Sequence, residues 1–425
     1  MQQLKHLQMK KILLAFSCAI LLSASAIAQV TPEISSWILN TTSATGYNSL
    51  PSNCQQVQYS TNYVYVSCSC IPGYSIGPWT GNPNTPSNQN FVYKIPRNPV
   101  ATTGTPTNVG MGHIGVWKNG VSIFNVYDGY WWNTSTNSWS GTPGPGTHAW
   151  NRNAYIFEAV SFDNCLGHPQ QQGEYHHHVS PNCLYNQADS THHSPIIGYA
   201  FDGFPVYGAY AYTNINGTGA IKRMKSSYVL TTATTRTNGP AVSTANPLGA
   251  ACEDYIFTQG AGDLDAHNGR FCKTPEYPNG IYAYFVTIDA TLKPTFPYTF
   301  YGTYYGVVET TNVGMGSGHA SPSEQVTTYI PDSTAAGLTE ADLKLDFMIM
   351  PNPASTMLHV FIQPIFANDF TIDIYDMMGR KMISRKNVHP TIIESLDVSS
   401  LMAGSYIVRV YNNTIKTEQK IIIER

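Results

Sequence analysis

Short runs of β-branched and aromatic residues, broken by turn signals, recur along most of the chain. Tyr63–Val66, Phe91–Tyr93, Ile114–Trp117 and Tyr282–Val286 carry the residue types that fit a pleated, half-buried surface. Lys118-Asn119-Gly120, Pro145-Gly146 and Pro278-Asn279-Gly280 punctuate these runs as turns. No stretch before residue 330 sustains the 3.6-residue apolar period of a packed helix. The pattern predicts an all-β, strand-dominated protein. Residues 213–250, rich in Thr, Ala, Asn and Gly, read as a long insertion loop with Tyr228–Leu230 as the strand candidate. Beyond a linker-like stretch over 331–346 the composition shifts, with Lys, Ile, Met and Asp rising and Gly and Tyr falling. Alternating runs then appear at Met357–Ile362, Phe370–Tyr375, Tyr406–Tyr411 and Ile421–Ile423. Roughly 80 residues of such strands, over 347–425, is the size of a small Ig-like β-sandwich.

Composition sharpens this picture. The chain has 425 residues, enough for two or three domains at about 150 residues each. Only 12% of residues are charged, against about 25% in an ordinary soluble protein. The 28 Tyr outnumber the 23 Lys and Arg together, which excludes a disordered chain, and the absence of an Ala/Glu/Lys/Leu/Arg excess excludes a coiled coil. A formal charge of -3 gives no electrostatic footprint for nucleic acid.

The first residues point to export. Lys10-Lys11, the apolar run Ile12–Leu22 and the small residues of Ala26-Ile27-Ala28 form the three parts of a secretory signal peptide over 1–28. The apolar run is shorter than the roughly 20 residues a membrane span needs. Removing Lys5, Lys10 and Lys11 with that segment takes the formal charge from -3 to -6. No later stretch is apolar enough to cross a bilayer, so the mature protein is expected to lack a transmembrane helix. The seven cysteines after Cys18 then face an oxidising compartment, where disulfides form. Cys165 with Cys183, and Cys252 with Cys272, bracket polar loops and are the expected pairs. Cys54 has Cys68 or Cys70 as partner, with thiolate metal ligation by Cys68-Ser69-Cys70 as the rival reading.

Six of the 13 His fall between His168 and His193. If Glu174–Val179 is a strand, its side chains alternate between faces. His176 and His178 then share one face, and His177 points to the other. Two imidazoles at i and i+2 are placed to chelate, since neutral His is the commonest metal ligand. A third ligand would complete a site for a transition metal, zinc or copper. His193 and His168, each beside a Pro-containing turn, are the candidates, with Asp202 as a ligand or a partner of one. Hydrogen-bonded packing in a Tyr-rich core is the alternative for these His. Calcium is the weaker candidate: Asp263-Leu264-Asp265 begins like a calcium loop, but His267 and Asn268 stand where the next ligand and the glycine belong. Gly314-Met315-Gly316-Ser317-Gly318 lacks the glycine two residues before Ser317 that a nucleophile elbow has. No Ser–His–Asp set can be assembled from the sequence.

Two resemblances add to this reading. Residues 90–310 resemble the YHYH family. They do so through Asn119-Gly120-Val121, Tyr175-His176-His177-His178 and the run His193-Ser194-Pro195-Ile196-Ile197-Gly198-Tyr199-Ala200-Phe201-Asp202-Gly203. Glu253-Asp254-Tyr255 and Asn268-Gly269-Arg270-Phe271 extend the likeness. His177 stands where the second Tyr of the name motif is expected, which leaves the chelating face intact. The family brings no settled activity, so a YHYH domain over 29–330 is expected without an assigned substrate or ligand.

The C-terminal segment resembles the type A sorting domain of type IX secretion. The likeness rests on Pro351-Asn352-Pro353-Ala354, Ile374-Tyr375-Asp376-Met377-Met378-Gly379-Arg380, Leu401-Met402-Ala403-Gly404-Ser405-Tyr406 and the terminal Lys420-Ile421-Ile422-Ile423. It implies export to the surface of a Gram-negative bacterium or beyond. It also implies that the outer-membrane translocon and its sortase are partners and that the domain is removed afterwards. Three function classes remain open: a His-based metal-binding module, a metal-dependent hydrolase, and an adhesin or glycan-binding module using Tyr130-Trp131-Trp132.

Overall fold

The computed structural model describes residues 30–141, 149–314, 316–331, 347–362, 370–388, 394–412 and 416–425. The signal peptide expected over 1–28, with Cys18, and all but the first residue of the linker expected over 331–346 lie outside the described residues. The described chain is strand-dominated.

The alternating segments form strands because their period of two puts one row of side chains into a core. In Phe91–Pro96, buried and half-buried residues alternate without a break. This strand, Tyr63–Cys68, Cys54–Tyr59 and Thr327–Thr328 make a four-stranded antiparallel sheet. An eight-stranded mixed sheet is the centre of the larger part of the chain. Its order is Gly269–Cys272, Ile281–Phe285, Pro205–Tyr207, Ile196–Ala200, His113–Trp117, Ser122–Phe124, Tyr175–His177, His168–Pro169. The central strands are buried along their whole length, as strands covered on both faces are. Close approach there depends on glycine: a Cβ on Gly198 would lie 2.6 Å from the Val116 carbonyl oxygen.

The motif after His193 folds as a hairpin. Ile196–Ala200 and Pro205–Tyr207 pair antiparallel across a turn with Gly203 at φ +87°. The insertion over 213–250 holds one strand that the sequence pattern does not reveal, Ile221–Arg223, paired with Tyr210–Tyr212. Its single apolar residue carries no periodic signal. Tyr228–Leu230 is a strand as expected, paired with Tyr255–Phe257.

The C-terminal part has two antiparallel sheets, one of three strands and one of four, with order 347–350, 357–362, 394–397 and 381–388, 370–376, 404–411, 416–423. They share one apolar core that includes Leu358, Ile372, Val408 and Ile421, which is the architecture of a β-sandwich. Gly379, at φ +78°, turns the chain between 370–376 and 381–388.

Cys165 and Cys183 form a disulfide. The expected Cys252–Cys272 pair does not form: Cys252 belongs to a small core with Val126 and Phe296, whereas Cys272 lies in the main core. Cys54, Cys68 and Cys70 are buried thiols, and Cys54 stands opposite Cys68 in the sheet register. Burial pushes the Cys68 and Cys70 thiols well above their ordinary range, which disfavours the thiolate that metal ligation requires. Peptide mapping of the exported protein without reductant is expected to link Cys165 to Cys183 and to find Cys252 and Cys272 alkylatable after unfolding. Cys183→Ser is expected to lower stability by about 3 kcal/mol, measured by urea denaturation. A linked Cys252–Cys272 peptide would contradict this assignment.

Candidate metal centre

The segment from Cys165 to Cys183 folds back on itself and carries three imidazoles to one place. Asp163 anchors its start by accepting the Cys165 and Gly167 amides, at 2.9 and 3.2 Å, and the Tyr175 hydroxyl at 2.9 Å. His168-Pro169 then pairs antiparallel with Tyr175-His176, placing His168 opposite His176. Gly173 makes the intervening turn at φ +80°, where a Cβ would fall 2.4 Å from Ser87 Oγ. On its other edge Tyr175–His177 pairs with Ser122–Phe124. The disulfide ties together the two ends of this segment.

Alternation along the strand separates the three consecutive His. The rings of His176 and His178 lie on one face with centroids 4.8 Å apart, and His168 completes the group at 4.6 Å from His176. One ring nitrogen from each of the three lies within 4.8 Å of the others. His177 packs instead edge-on against Tyr175 and Trp117. Phe124 stacks on His176, and Phe162 lies against His168.

Hydrogen bonds fix the tautomers. His176 Nδ1 donates to the Glu174 carbonyl at 3.1 Å, and His178 Nδ1 to the Asn125 carbonyl at 2.5 Å. A carbonyl can only accept, so in both rings the proton is on Nδ1. His168 Nδ1 meets Ser161 Oγ at 2.8 Å, and that hydroxyl gives its own proton to the Glu158 carbonyl. All three Nε2 atoms therefore carry lone pairs in the neutral rings, and those of His176 and His178 face each other at 3.1 Å. Burial, with the neighbouring imidazoles adding to it, holds His176 well below its ordinary value and lowers His168 to about 4. Converging buried lone pairs repel one another unless a cation lies between them.

Glu158, which the sequence reading did not single out, is also at this place. Its Oε2 is 3.2 Å from His178 Nε2 and 3.7 Å from His168 Nε2, buried and outside hydrogen-bonding geometry. It ends the five-residue helix Ala154–Glu158, capped by Asn153. A helix this short leaves no periodic trace in the sequence.

The other expected ligands lie elsewhere. His193 is held by its own segment, with Nδ1 on the Ser194 carbonyl at 2.7 Å and its ring against Tyr207 and Tyr212. Asp202 is fully buried in the hairpin turn, accepting Tyr284 Oη at 2.6 Å and the amides of Gly306 and Phe204 at 2.9 and 3.2 Å. Burial pushes it up to about 6, and its lone pairs are occupied in holding that turn. Asp265 accepts the His267 and Gly269 amides, which makes the calcium-like segment a capped turn.

A further set becomes visible only in three dimensions. Ser317 Oγ is 2.7 Å from His113 Nε2, and His113 Nδ1 is 2.9 Å from Glu174 Oε1. The order matches a catalytic triad, but Ser317 Oγ also lies 2.6 Å from the carbonyls of Asn312 and Gly314. Oxygens that close need the hydroxyl proton between them, so Ser317 does not hold it ready for the imidazole. The set clamps the loop to Glu174, whose backbone carbonyl orients His176. In the aromatic strand at Tyr130-Trp131-Trp132, both Trp are half-buried. Trp132 packs edge-on against Trp139, and of the three only Tyr130 is exposed.

Residues 92–298 match the family described as YHYH protein, and residues 348–424 match the secretion system C-terminal sorting domain. No curated protein matches the chain. The sorting domain directs the protein to the cell surface or outside the cell by type IX secretion. Among the described residues, no helix is long and apolar enough to cross a membrane.

Proposed function

From a chain that joins a YHYH domain to a C-terminal sorting domain, we propose an exported metal-binding module centred on His168, His176 and His178. The observation that carries this reading is the convergence of three buried Nε2 lone pairs whose Nδ1 atoms are each tied to an oxygen. Packing alone gives no reason for such an arrangement. Imidazole donors suit zinc and copper, and these are the ions proposed. A signal peptide over 1–28 starts the export route. The translocon and its sortase act on residues 347–425, and the mature form is released or held at the surface. A metal-dependent hydrolase is the second reading, favoured by the same centre if a coordination position is open to water.

Metal analysis of the purified mature protein is expected to find about one zinc or copper ion per chain, lost on chelation and restored by the ion alone. Less than a tenth of an ion, with no uptake on titration, would remove the proposal. Acid should act on the centre directly. Protons and metal compete for the same Nε2 lone pairs, so lowering the pH is expected to release the ion and returning it to neutral to restore binding, followed as metal content after dialysis. Full retention of the ion in strong acid would tell against imidazole ligands.

A further inference from the structure

We propose that Glu158 is the fourth protein donor of this centre, so that three imidazole nitrogens and one carboxylate oxygen enclose a divalent first-row cation. The inference rests on the metal-binding reading and goes beyond it, because it decides whether the ion is open to chemistry.

The donor separations carry the argument. Ligands about 2.0–2.1 Å from a tetrahedral ion stand about 3.3 Å from one another. His176 Nε2 to His178 Nε2 is 3.1 Å, His178 Nε2 to Glu158 Oε2 is 3.2 Å, and His168 Nε2 to Glu158 Oε2 is 3.7 Å. Three separations between different pairs of these four residues thus fall around the tetrahedral value.

The Glu158 oxygen and the His168 Nε2 are both buried without a hydrogen bond, a costly state for polar atoms. An ion would satisfy both. The Ser161 hydroxyl joins the two ligands, accepting from His168 Nδ1 and donating to the Glu158 backbone carbonyl. Carboxylate and first imidazole are thereby positioned by the same turn. The Glu158 side chain keeps 28% of its surface exposed, against 6% for His168 and 3% for His178, so Glu158 is the donor at which an ion enters and leaves.

Four protein donors fill a tetrahedral shell, as in structural zinc sites. A water-activating site keeps one position for water or substrate. A ligating Glu158 therefore makes the protein one that holds its ion, and it tells against the hydrolase reading.

The test uses the mature full chain loaded with Co²⁺, whose visible absorption reports coordination, and azide as the probe anion. The wild type is expected to bind Co²⁺ with a spectrum unchanged by azide. Glu158→Ala is expected to bind it at least about 100-fold more weakly, with a spectrum that azide now shifts, because a position has opened. Glu158→Gln, which keeps the shape and loses the charge, should fall between the two and serves alone if the alanine variant does not fold. Unchanged Co²⁺ affinity in both variants, or a wild-type spectrum that azide shifts, overturns the fourth-donor assignment and leaves a three-histidine centre. Absence of Co²⁺, Zn²⁺ and Cu²⁺ binding in the wild type overturns the metal reading itself.

Discussion

Alanine at His168, His176 or His178 is expected to weaken Zn²⁺ binding by about three orders of magnitude or more, whereas His177→Ala leaves the affinity within about threefold. The contrast follows from the strand. Side chains at i and i+2 share a face, so His176 and His178 face the proposed centre while His177, between them, points to Tyr175 and Trp117. Losing one of three imidazole donors removes a metal bond, and losing an outer partner costs about 10–100-fold. Stability should not follow the order of affinity. His177 is as buried as the other three, and truncating it leaves a cavity between aromatic rings at a cost of about 2–4 kcal/mol. Zn²⁺ titration and urea denaturation of the metal-free variants separate the two effects. Equal losses of affinity at all four positions would indicate a nonspecific histidine tract, and the centre would have to be given up.

Deleting residues 416–425 should abolish appearance of the protein outside the cell, with the truncated chain accumulating in the periplasm. The segment Lys416–Ile423 is an edge strand paired along its full length with Gly404–Tyr411. It buries Ile421 and Ile423 in the sandwich core, and burial of each contributes about 1.5–3 kcal/mol. Arg425 fastens the end to the carbonyls of Val398 and Ser399 at 3.0 and 2.6 Å. Removing the strand exposes a sheet edge and part of the core at once, so the surface offered to the type IX secretion machinery is lost with the fold of the domain. Immunoblots of periplasm, cell surface and medium report the outcome. In the untruncated protein, intact mass of the external form is expected to lack the chain from about Phe347 onward. Undiminished export of the truncation, or full-length protein outside the cell, would count against the respective claim.

Strand dominance was legible in the sequence because a period of two with β-branched and aromatic residues is a local property. The sorting domain was legible too, through short motifs in a fixed order. The shared face of His176 and His178 belonged to the same class, because which face a side chain takes within one strand depends only on its neighbours along the chain.

What the sequence left open was everything that needed a partner from another element. It offered His193 and His168 equally as the third imidazole. Only the pairing of His168-Pro169 with Tyr175-His176 favoured His168, while aromatic packing held His193 elsewhere. Asp202 looked available as a ligand until the hairpin turn occupied its lone pairs. Cys252 and Cys272 bracketed a polar loop but were drawn into different cores. Glu158 gave no signal at all, since its helix is one turn long and its meaning comes from nitrogens placed across space. Periodicity records which way a side chain faces. Which donors meet is set by strand order, register and the competition of each polar atom for its hydrogen bonds, and those exist only once the chain has folded.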